Sequence, residues 1–145
     1  MTEEISLSLS VEPIEPLIGF QVVDAWVGVG TFLVLDLVAS DSTQTGKLWI
    51  YLADWAIVVG GREVWASETL PENREARLPI EVLVGRHLTA ATRLDDEEMH
   101  LDFSQDTHLE IWENRTVYGV GAELLHIFLD GEKTVTLAFP QPSIH

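Results

Sequence analysis

One sequence pattern occurs twice in this chain, and it constrains the fold more than any local feature does. Residues 13–37, PIEPLIGFQVVDAWVGVGTFLVLDL, align without a gap on residues 79–103, PIEVLVGRHLTAATRLDDEEMHLDF, after a shift of 66 positions. Eight of the 25 aligned positions are identical, whereas unrelated stretches would share about one or two. We therefore predict an internal duplication, with two copies of one structural unit related by a pseudo-twofold axis.

The chain length and the duplication together predict one domain. The 145 residues correspond to the commonest domain size. We place the two repeats at residues 13–67 and 79–139, joined by a charged linker, ETLPENREARL, at residues 68–78. Half of this chain, built from few strands, would bury too little surface to fold alone, so residues 1–145 are expected to form a single domain.

Alternation of apolar and polar residues, which is typical of half-buried strands, recurs along the chain. In residues 5–11 it takes the form of isoleucine, leucine and valine separated by serines. Tight hairpins are predicted at Gly60-Gly61 and Asp130-Gly131, because these pairs suit the positive φ angles of a type I′ turn. Helical turns are expected only in residues 13–19, at their counterpart in the second repeat and in the linker. We predict an all-β fold, an antiparallel sandwich or barrel of about ten strands.

The charge balance excludes several classes of partner. Acidic residues number 24 against eight basic ones, for a formal net charge of −16. Nucleic acids and anionic membrane surfaces bind proteins through Lys and Arg, so neither is expected as a partner. The negative charge instead favours a basic protein partner, or serves solubility alone.

No segment predicts secretion, a membrane span or a thiol-based site. The N-terminal residues MTEEISLSLS are acidic and alternating, unlike a signal peptide. The most apolar stretch, residues 26–39, is too short to cross a bilayer and contains Asp36. Cysteine is absent, which excludes disulfides and thiolate metal ligands. We expect a cytoplasmic protein.

The hairpin at residues 98–112 carries the most concrete chemistry. Placing its alternate apolar residues in the core fixes the register across a three-residue turn at residues 104–106. That register sets His100 opposite Glu110, and Asp102 opposite His108, on the other face of the hairpin. Two imidazoles and two carboxylates so close together could bind Zn²⁺ or another divalent ion. The alternative is an ordinary solvated strand face without any cofactor, which is the more common situation for such residues.

Asp36 and Asp102 are equivalent positions of the two repeats. Each lies in a strand, on the face opposite the leucines. If the pseudo-twofold axis brings them together, they could form a general acid–base pair in which one carboxylate raises the pKa of the other. The alternative is that each aspartate accepts hydrogen bonds from its own surroundings.

Aromatic and acidic residues outside the predicted core are candidates for a protein-binding surface. Trp49 and Tyr51 lie on the strand face opposite the leucines, and Trp112 shares the polar face of the histidines. Exposed aromatic rings are typical anchors of protein interfaces. The acidic turn supplies further candidates: Asp95, Asp96, Glu97 and Glu98. Residues 32–52 look apolar on both strand faces, which indicates either a central position in a two-layer fold or a subunit interface. We also expect a homodimer.

His126 lies between apolar neighbours in the second repeat's last hairpin. Counting back from the Asp130-Gly131 turn places it on the same face as Val135 and Leu137. A hydrogen-bonded histidine in the core is the expectation, rather than a metal ligand or a base.

The second repeat, LVGRHLTAATRLDDEEMHLDFSQDTHLEIWEN, resembles a family of small uncharacterised bacterial proteins that is common in actinobacteria. The matching positions are Gly85, Leu101, Phe103 and Leu109, which agree in type with the family's "Gly-Arg" opening and its Leu-x-Leu-x-Phe hairpin. The resemblance implies a β-rich fold and no particular catalytic residue. Proteins of this general kind are often proposed as immunity or accessory proteins, which is the function that the resemblance suggests here.

Two functions of different class follow from these patterns. The first is a non-enzymatic binding module that presents an acidic surface to a basic protein partner. The second is a small β-barrel enzyme or a ligand-binding or metal-binding protein that uses the aspartates or the histidine hairpin. The sequence favours the first, because none of the common catalytic motifs is present.

Overall fold

The computed structural model describes residues 5–8, 11–28, 32–70, 77–94, 98–118 and 122–138. The strands in these ranges are β1 (Ile5–Ser8), β2 (Gln21–Val27), β3 (Leu33–Val38), β4 (Thr45–Ile50), β5 (Asp54–Val59), β6 (Arg62–Ala66), β7 (Leu78–Pro79), β8 (Leu88–Arg93), β9 (Glu98–Phe103), β10 (Thr107–Trp112), β11 (Glu123–Leu129) and β12 (Glu132–Ala138). The helices are one α-helical turn, α1 (Arg115–Tyr118), and 3-10 helices at Glu12–Leu17, Ser67–Thr69 and Glu81–Leu83. The all-β prediction is confirmed.

The strands form two sheets that enclose one core, so the fold is a sandwich. The seven-stranded sheet has the order β1-β12-β11-β4-β3-β2-β7, and the five-stranded sheet has the order β6-β5-β10-β9-β8. Neighbouring strands are antiparallel, except that β1 runs parallel to β12. None of the helices in the described ranges is long and apolar enough to cross a bilayer.

The core lies between the sheets and is built from alternate residues of both. Its largest member is Trp55 of β5, which has no exposed surface. Buried side chains from both halves of the chain form one continuous cluster. The hairpin residues that alternation assigned to the core are all buried: Met99, Leu101, Phe103, Leu109 and Ile111.

Each half of the chain contributes to both sheets, and in the same order. In the first half, β2, β3 and β4 form a meander in the seven-stranded sheet, and the hairpin β5–β6 joins the other sheet. In the second half, β8, β9 and β10 form a meander in the five-stranded sheet, and the hairpin β11–β12 crosses back. The strand orders β12-β11-β4-β3-β2 and β6-β5-β10-β9-β8 are therefore equivalent, and neither half forms a sheet alone.

Hydrogen bonds between the two halves follow the same 66-residue shift as the sequence. The Gly19 amide donates to the Leu88 carbonyl at 2.7 Å, and the equivalent Gly85 amide donates to the Val22 carbonyl at 2.8 Å. Both glycines have positive φ angles, of 96° and 91°. These equivalences are what two copies of one unit would show, although the duplication of the sequence itself remains a prediction.

The two halves differ where they begin. In the first half residues 13–17 belong to the 3-10 helix Glu12–Leu17. In the second half the equivalent Pro79 belongs to the short strand β7, which pairs with Trp26 and Val27 of β2. The linker predicted at residues 68–78 therefore ends in a strand, and residues 71–76 lie outside the described ranges. The turn α1 was not predicted, because four residues are too few to display a helical period.

Candidate functional site

The two sheets present outer faces of opposite chemical character. We call the outward side of β9 and β10 the acidic–histidine face; its residues are Glu98, His100, Asp102, His108, Glu110 and Trp112. We call the outward side of the seven-stranded sheet the aromatic face; its rings are Trp26, Phe32, Trp49, Tyr51 and Phe128. The core separates the two faces.

The strand register that creates the acidic–histidine face is the one predicted from the sequence. His100 pairs with Glu110, and Asp102 pairs with His108. The register depends on the three-residue turn at residues 104–106, in which Gln105 and Asp106 have φ angles of 61° and 52°. The inward residues of both strands are apolar apart from Thr107, and a shift of one position would bury these charges, so the register is strongly fixed.

Three of the predicted ligands lie within reach of a single ion. The atoms that His100, His108 and Glu110 can offer all lie within 4.8 Å of one another. Oε2 of Glu110 is 3.2 Å from Nε2 of His108 and 3.6 Å from Nε2 of His100. The two imidazole rings are stacked with centroids 5.1 Å apart. All three side chains are only partly exposed, between 20% and 33%.

The fourth predicted ligand, Asp102, lies outside this group of three, although it is on the same face. Glu98 lies closer, because its Oε2 is 2.7 Å from Nε2 of His100. Glu98 was predicted as part of a protein-binding surface and not as a metal ligand, although Glu98 and His100 are two positions apart on one strand and therefore share a face.

The aromatic face contains a cluster of rings around the central strand β4. The centroid of Tyr51 lies 5.4 Å from that of Trp49 and 4.9 Å from that of Phe32. His126 closes the cluster at 5.6 Å from Trp49. Trp49 and Tyr51 thus occupy the face that alternation predicted for them.

The charges at the centre of the aromatic face are paired with one another. Nζ of Lys47 is 3.6 Å from Oδ1 of Asp36, and the Arg77 guanidinium contacts the Asp24 carboxylate. Asp24, Asp36 and Lys47 follow one another across β2, β3 and β4. The Arg77 guanidinium also stacks 4.3 Å from the ring centroid of Trp26. The centre of this face is therefore close to neutral.

The aromatic face is uneven and leaves one polar atom unsatisfied. A groove of about 360 Å³ runs beside Lys47 and Phe128, and another of about 270 Å³ lies between Trp26 and Trp49. Nε1 of Trp49 is buried and has no hydrogen-bond partner within the described part of the chain. Four of the five tryptophans are only partly buried, Trp55 being the exception.

The predicted pair of aspartates is not formed. Asp36 lies on the outer face of the seven-stranded sheet, where it pairs with Lys47. Asp102 lies on the outer face of the five-stranded sheet. Asp36 belongs to β3 and Asp102 to β9, and these two strands lie in different sheets. The acid–base hypothesis is therefore wrong, because the core lies between the two carboxylates.

The predicted protein-binding residues are likewise divided between two faces. Trp49 and Tyr51 belong to the aromatic face, whereas Glu98 and Trp112 belong to the acidic–histidine face. Asp95, Asp96 and Glu97 lie outside the described residues. The predicted residues cannot form one continuous surface, and each face has to be considered separately.

The face of His126 was assigned incorrectly from the sequence. Its cross-strand partner is Thr136, and a β-bulge between Ile127 and Phe128 shifts the register expected from the turn. His126 is 5% exposed and its Nδ1 lies 3.0 Å from Oγ1 of Thr136. It is therefore buried and hydrogen-bonded, as predicted, but it lies beneath the aromatic face and not between the sheets.

A buried network around Asp54 was not anticipated from the sequence. Asp54 is 6% exposed. Its carboxylate accepts hydrogen bonds from the Ser67 hydroxyl at 3.0 Å and from the Asn114 side-chain amide at 2.6 Å. The Ser67 hydroxyl oxygen in turn accepts the Trp55 amide proton. No spacing in the sequence indicates these contacts, because the three polar residues come from segments far apart in the chain.

Comparison of the chain with protein-family models, with curated proteins and with solved structures found no match. The resemblance of the second repeat to an actinobacterial family therefore remains a prediction.

Proposed function

We propose that this chain is a non-enzymatic binding module that self-associates through its aromatic face and presents its acidic–histidine face to a positively charged protein partner. An immunity or accessory protein would work in this way. The single observation that carries the proposal is the contrast between the two outer faces, which are built on equivalent strands and yet differ in composition.

A second copy of the chain is the occupant that suits the aromatic face best. Two copies of this chain repel each other because each has a net charge of −16. They can therefore approach most easily where the surface of each is locally neutral. The ion pairs Asp36–Lys47 and Asp24–Arg77 supply that neutrality. Rings at the centre of the patch, such as Trp49, are typical of interface anchors.

The size of the aromatic face is of the order that a protein interface needs. Seven adjacent strands of up to seven residues span about 30 Å by 20 Å. Protruding side chains add to this flat area, so the accessible surface approaches the roughly 800 Å² per partner that a specific interface needs.

The acidic–histidine face suits a cationic partner. Neither β9 nor β10 contains a Lys or an Arg, and the outward carboxylates are Glu98, Asp102 and Glu110. Complementary charge accelerates association and disfavours partners of the wrong sign. Because this face is on the far side of the core from the aromatic face, a dimer would leave two copies of it free.

The surface that binds a positively charged partner can be located with a defined lysine-rich peptide at low ionic strength. A chelator is present so that metal ions do not take part. The variant Glu98→Gln/Asp102→Asn removes two charges from the acidic–histidine face. The matched control Glu15→Gln/Glu81→Gln removes two exposed charges elsewhere. We expect the first variant to bind the peptide about 5- to 10-fold more weakly than the control does. Equal affinity of the two variants would show that only net charge matters and would contradict the proposal.

A further inference from the structure

We propose that His100, His108 and Glu110, with Glu98 as a fourth ligand, form a binding site for Zn²⁺ or a similar divalent transition-metal ion. The site belongs to the same face as the partner surface, but it does not depend on any protein partner.

The distances between the candidate ligands correspond to those of a tetrahedral centre. Zn²⁺ binds imidazole nitrogen and carboxylate oxygen at about 2.0–2.1 Å, which makes neighbouring ligand atoms about 3.3 Å apart in a tetrahedron. Oε2 of Glu110 is 3.2 Å from Nε2 of His108 and 3.6 Å from Nε2 of His100. Two of the three distances between ligand atoms are therefore already close to the tetrahedral value. The third distance, between the ligand nitrogens of the two histidines, is at most 4.8 Å, so it has to shorten by no more than about 1.5 Å.

Glu98 lies beside the cluster and is the candidate for a fourth ligand. Its Oε2 lies 2.7 Å from Nε2 of His100, but Glu98 does not belong to the group of side chains whose ligand atoms all lie within 4.8 Å of one another. Its side chain is 35% exposed, so it can turn toward an ion held by the other three residues without disturbing the core.

The backbone supports a site of fixed geometry. β9 and β10 are the inner strands of the five-stranded sheet, held by β8 on one side and β5 on the other. Across the neighbouring strands, the pair His100–Glu110 is flanked by Thr92 and Ala56.

Only one half of the chain offers these ligands. In the first half the cross-strand pair equivalent to His100–Glu110 is Val34–Trp49. Valine and tryptophan do not bind divalent cations, so the pseudo-symmetric position on the aromatic face has no corresponding site. We therefore expect one ion for each chain.

The test is titration of chelator-treated protein with Zn²⁺ by calorimetry and with Co²⁺ by absorption spectroscopy. We expect one ion per chain and the intense visible bands of four-coordinate Co²⁺. The variants His100→Gln and His108→Gln should each bind Zn²⁺ at least about 100-fold more weakly, because even loss of an outer hydrogen-bond partner of a ligand costs about 10- to 100-fold. His87→Gln, at an exposed histidine outside the cluster, should bind as the wild type does.

Three results would contradict the proposed site. The first is no Zn²⁺ binding by the wild type, and the second is an equal loss of Zn²⁺ affinity in all three variants. The third is Ca²⁺ binding as tight as Zn²⁺ binding, since Ca²⁺ prefers oxygen ligands and would indicate binding by carboxylates alone. Thermal unfolding of each variant without metal shows whether it is folded. Because the peptide experiment is done with chelator, failure of the metal site and failure of the partner surface give separate results.

Discussion

At the scale of single residues, the buried carboxylate of Asp54 connects parts of the chain that no sequence pattern relates. It accepts hydrogen bonds from Ser67 and Asn114, which lie 13 and 60 positions away. A buried donor that loses its acceptor retains its full desolvation cost. The network therefore holds the start of β5, the 3-10 helix Ser67–Thr69 and the segment before α1 together.

Replacement of this carboxylate should measurably destabilise the fold. For Asp54→Ala we expect the free energy of unfolding to fall by about 2–4 kcal/mol, because two partly or fully buried donors lose their acceptor. Asp24→Ala is the control, since it removes the same charge from an ion pair whose side chains are 46% and 57% exposed and should cost at most about 1 kcal/mol. Denaturant unfolding measures both values. Equal losses would show that the network contributes little.

At the scale of secondary-structure elements, the close contact between β4 and the first 3-10 helix depends on Gly46. A Cβ atom at this position would lie 2.5 Å from Cδ2 of Leu17 and 3.4 Å from Cδ2 of Phe20. Leu17 is fully buried, so it has little room to retreat. The glycine allows the helix to pack directly on the strand.

The variant Gly46→Ala should therefore be overpacked. We expect a loss of about 1–3 kcal/mol in the free energy of unfolding. Gly28→Ala should change it much less, because no described atom lies within 4 Å of that position. Combining Gly46→Ala with Leu17→Ala should cost less than the sum of the two single changes, since the space left by the shortened Leu17 side chain can hold the added methyl group. Additive losses would contradict a direct contact between these residues.

Most elements could be predicted, because their determinants are local. The hairpin predicted at residues 98–112, with its turn at residues 104–106, is formed by β9 and β10. Both tight hairpins have positive φ at their turn residues, Gly60, Gly61, Asp130 and Gly131. Alternation and turn chemistry are read from neighbouring residues, which explains this agreement. The bulge beside Ile127 has no such signal, and it moved His126 to the other face.

Positions fixed by long-range packing could not be predicted in the same way. The register of β9 and β10 follows from alternation, so the proximity of His100 to Glu110 was predictable. That Asp36 and Asp102 lie on opposite outer faces depends on how the two halves cross between sheets. A repeat in the sequence indicates that two units are alike, but it does not indicate which faces the symmetry brings together.

At the scale of the whole molecule, equivalent strands carry different surfaces. The cross-strand pair His100–Glu110 in one half corresponds to Val34–Trp49 in the other. The inner faces of both meanders are apolar because they share one core. The outer faces are not constrained by that core, so they can differ, and we propose that each has a separate role in binding.

Sedimentation equilibrium of the wild-type chain across the micromolar range tests this account most directly. We expect a dimer, with a mass of twice 16.2 kDa, that persists in high salt because its interface is neutral and apolar. Trp49→Ala should sediment as a monomer, whereas Trp112→Ala, at a partly buried tryptophan of the acidic–histidine face, should remain a dimer. A wild-type mass of 16.2 kDa throughout, or the same behaviour of both variants, would contradict the assignment of the aromatic face to self-association.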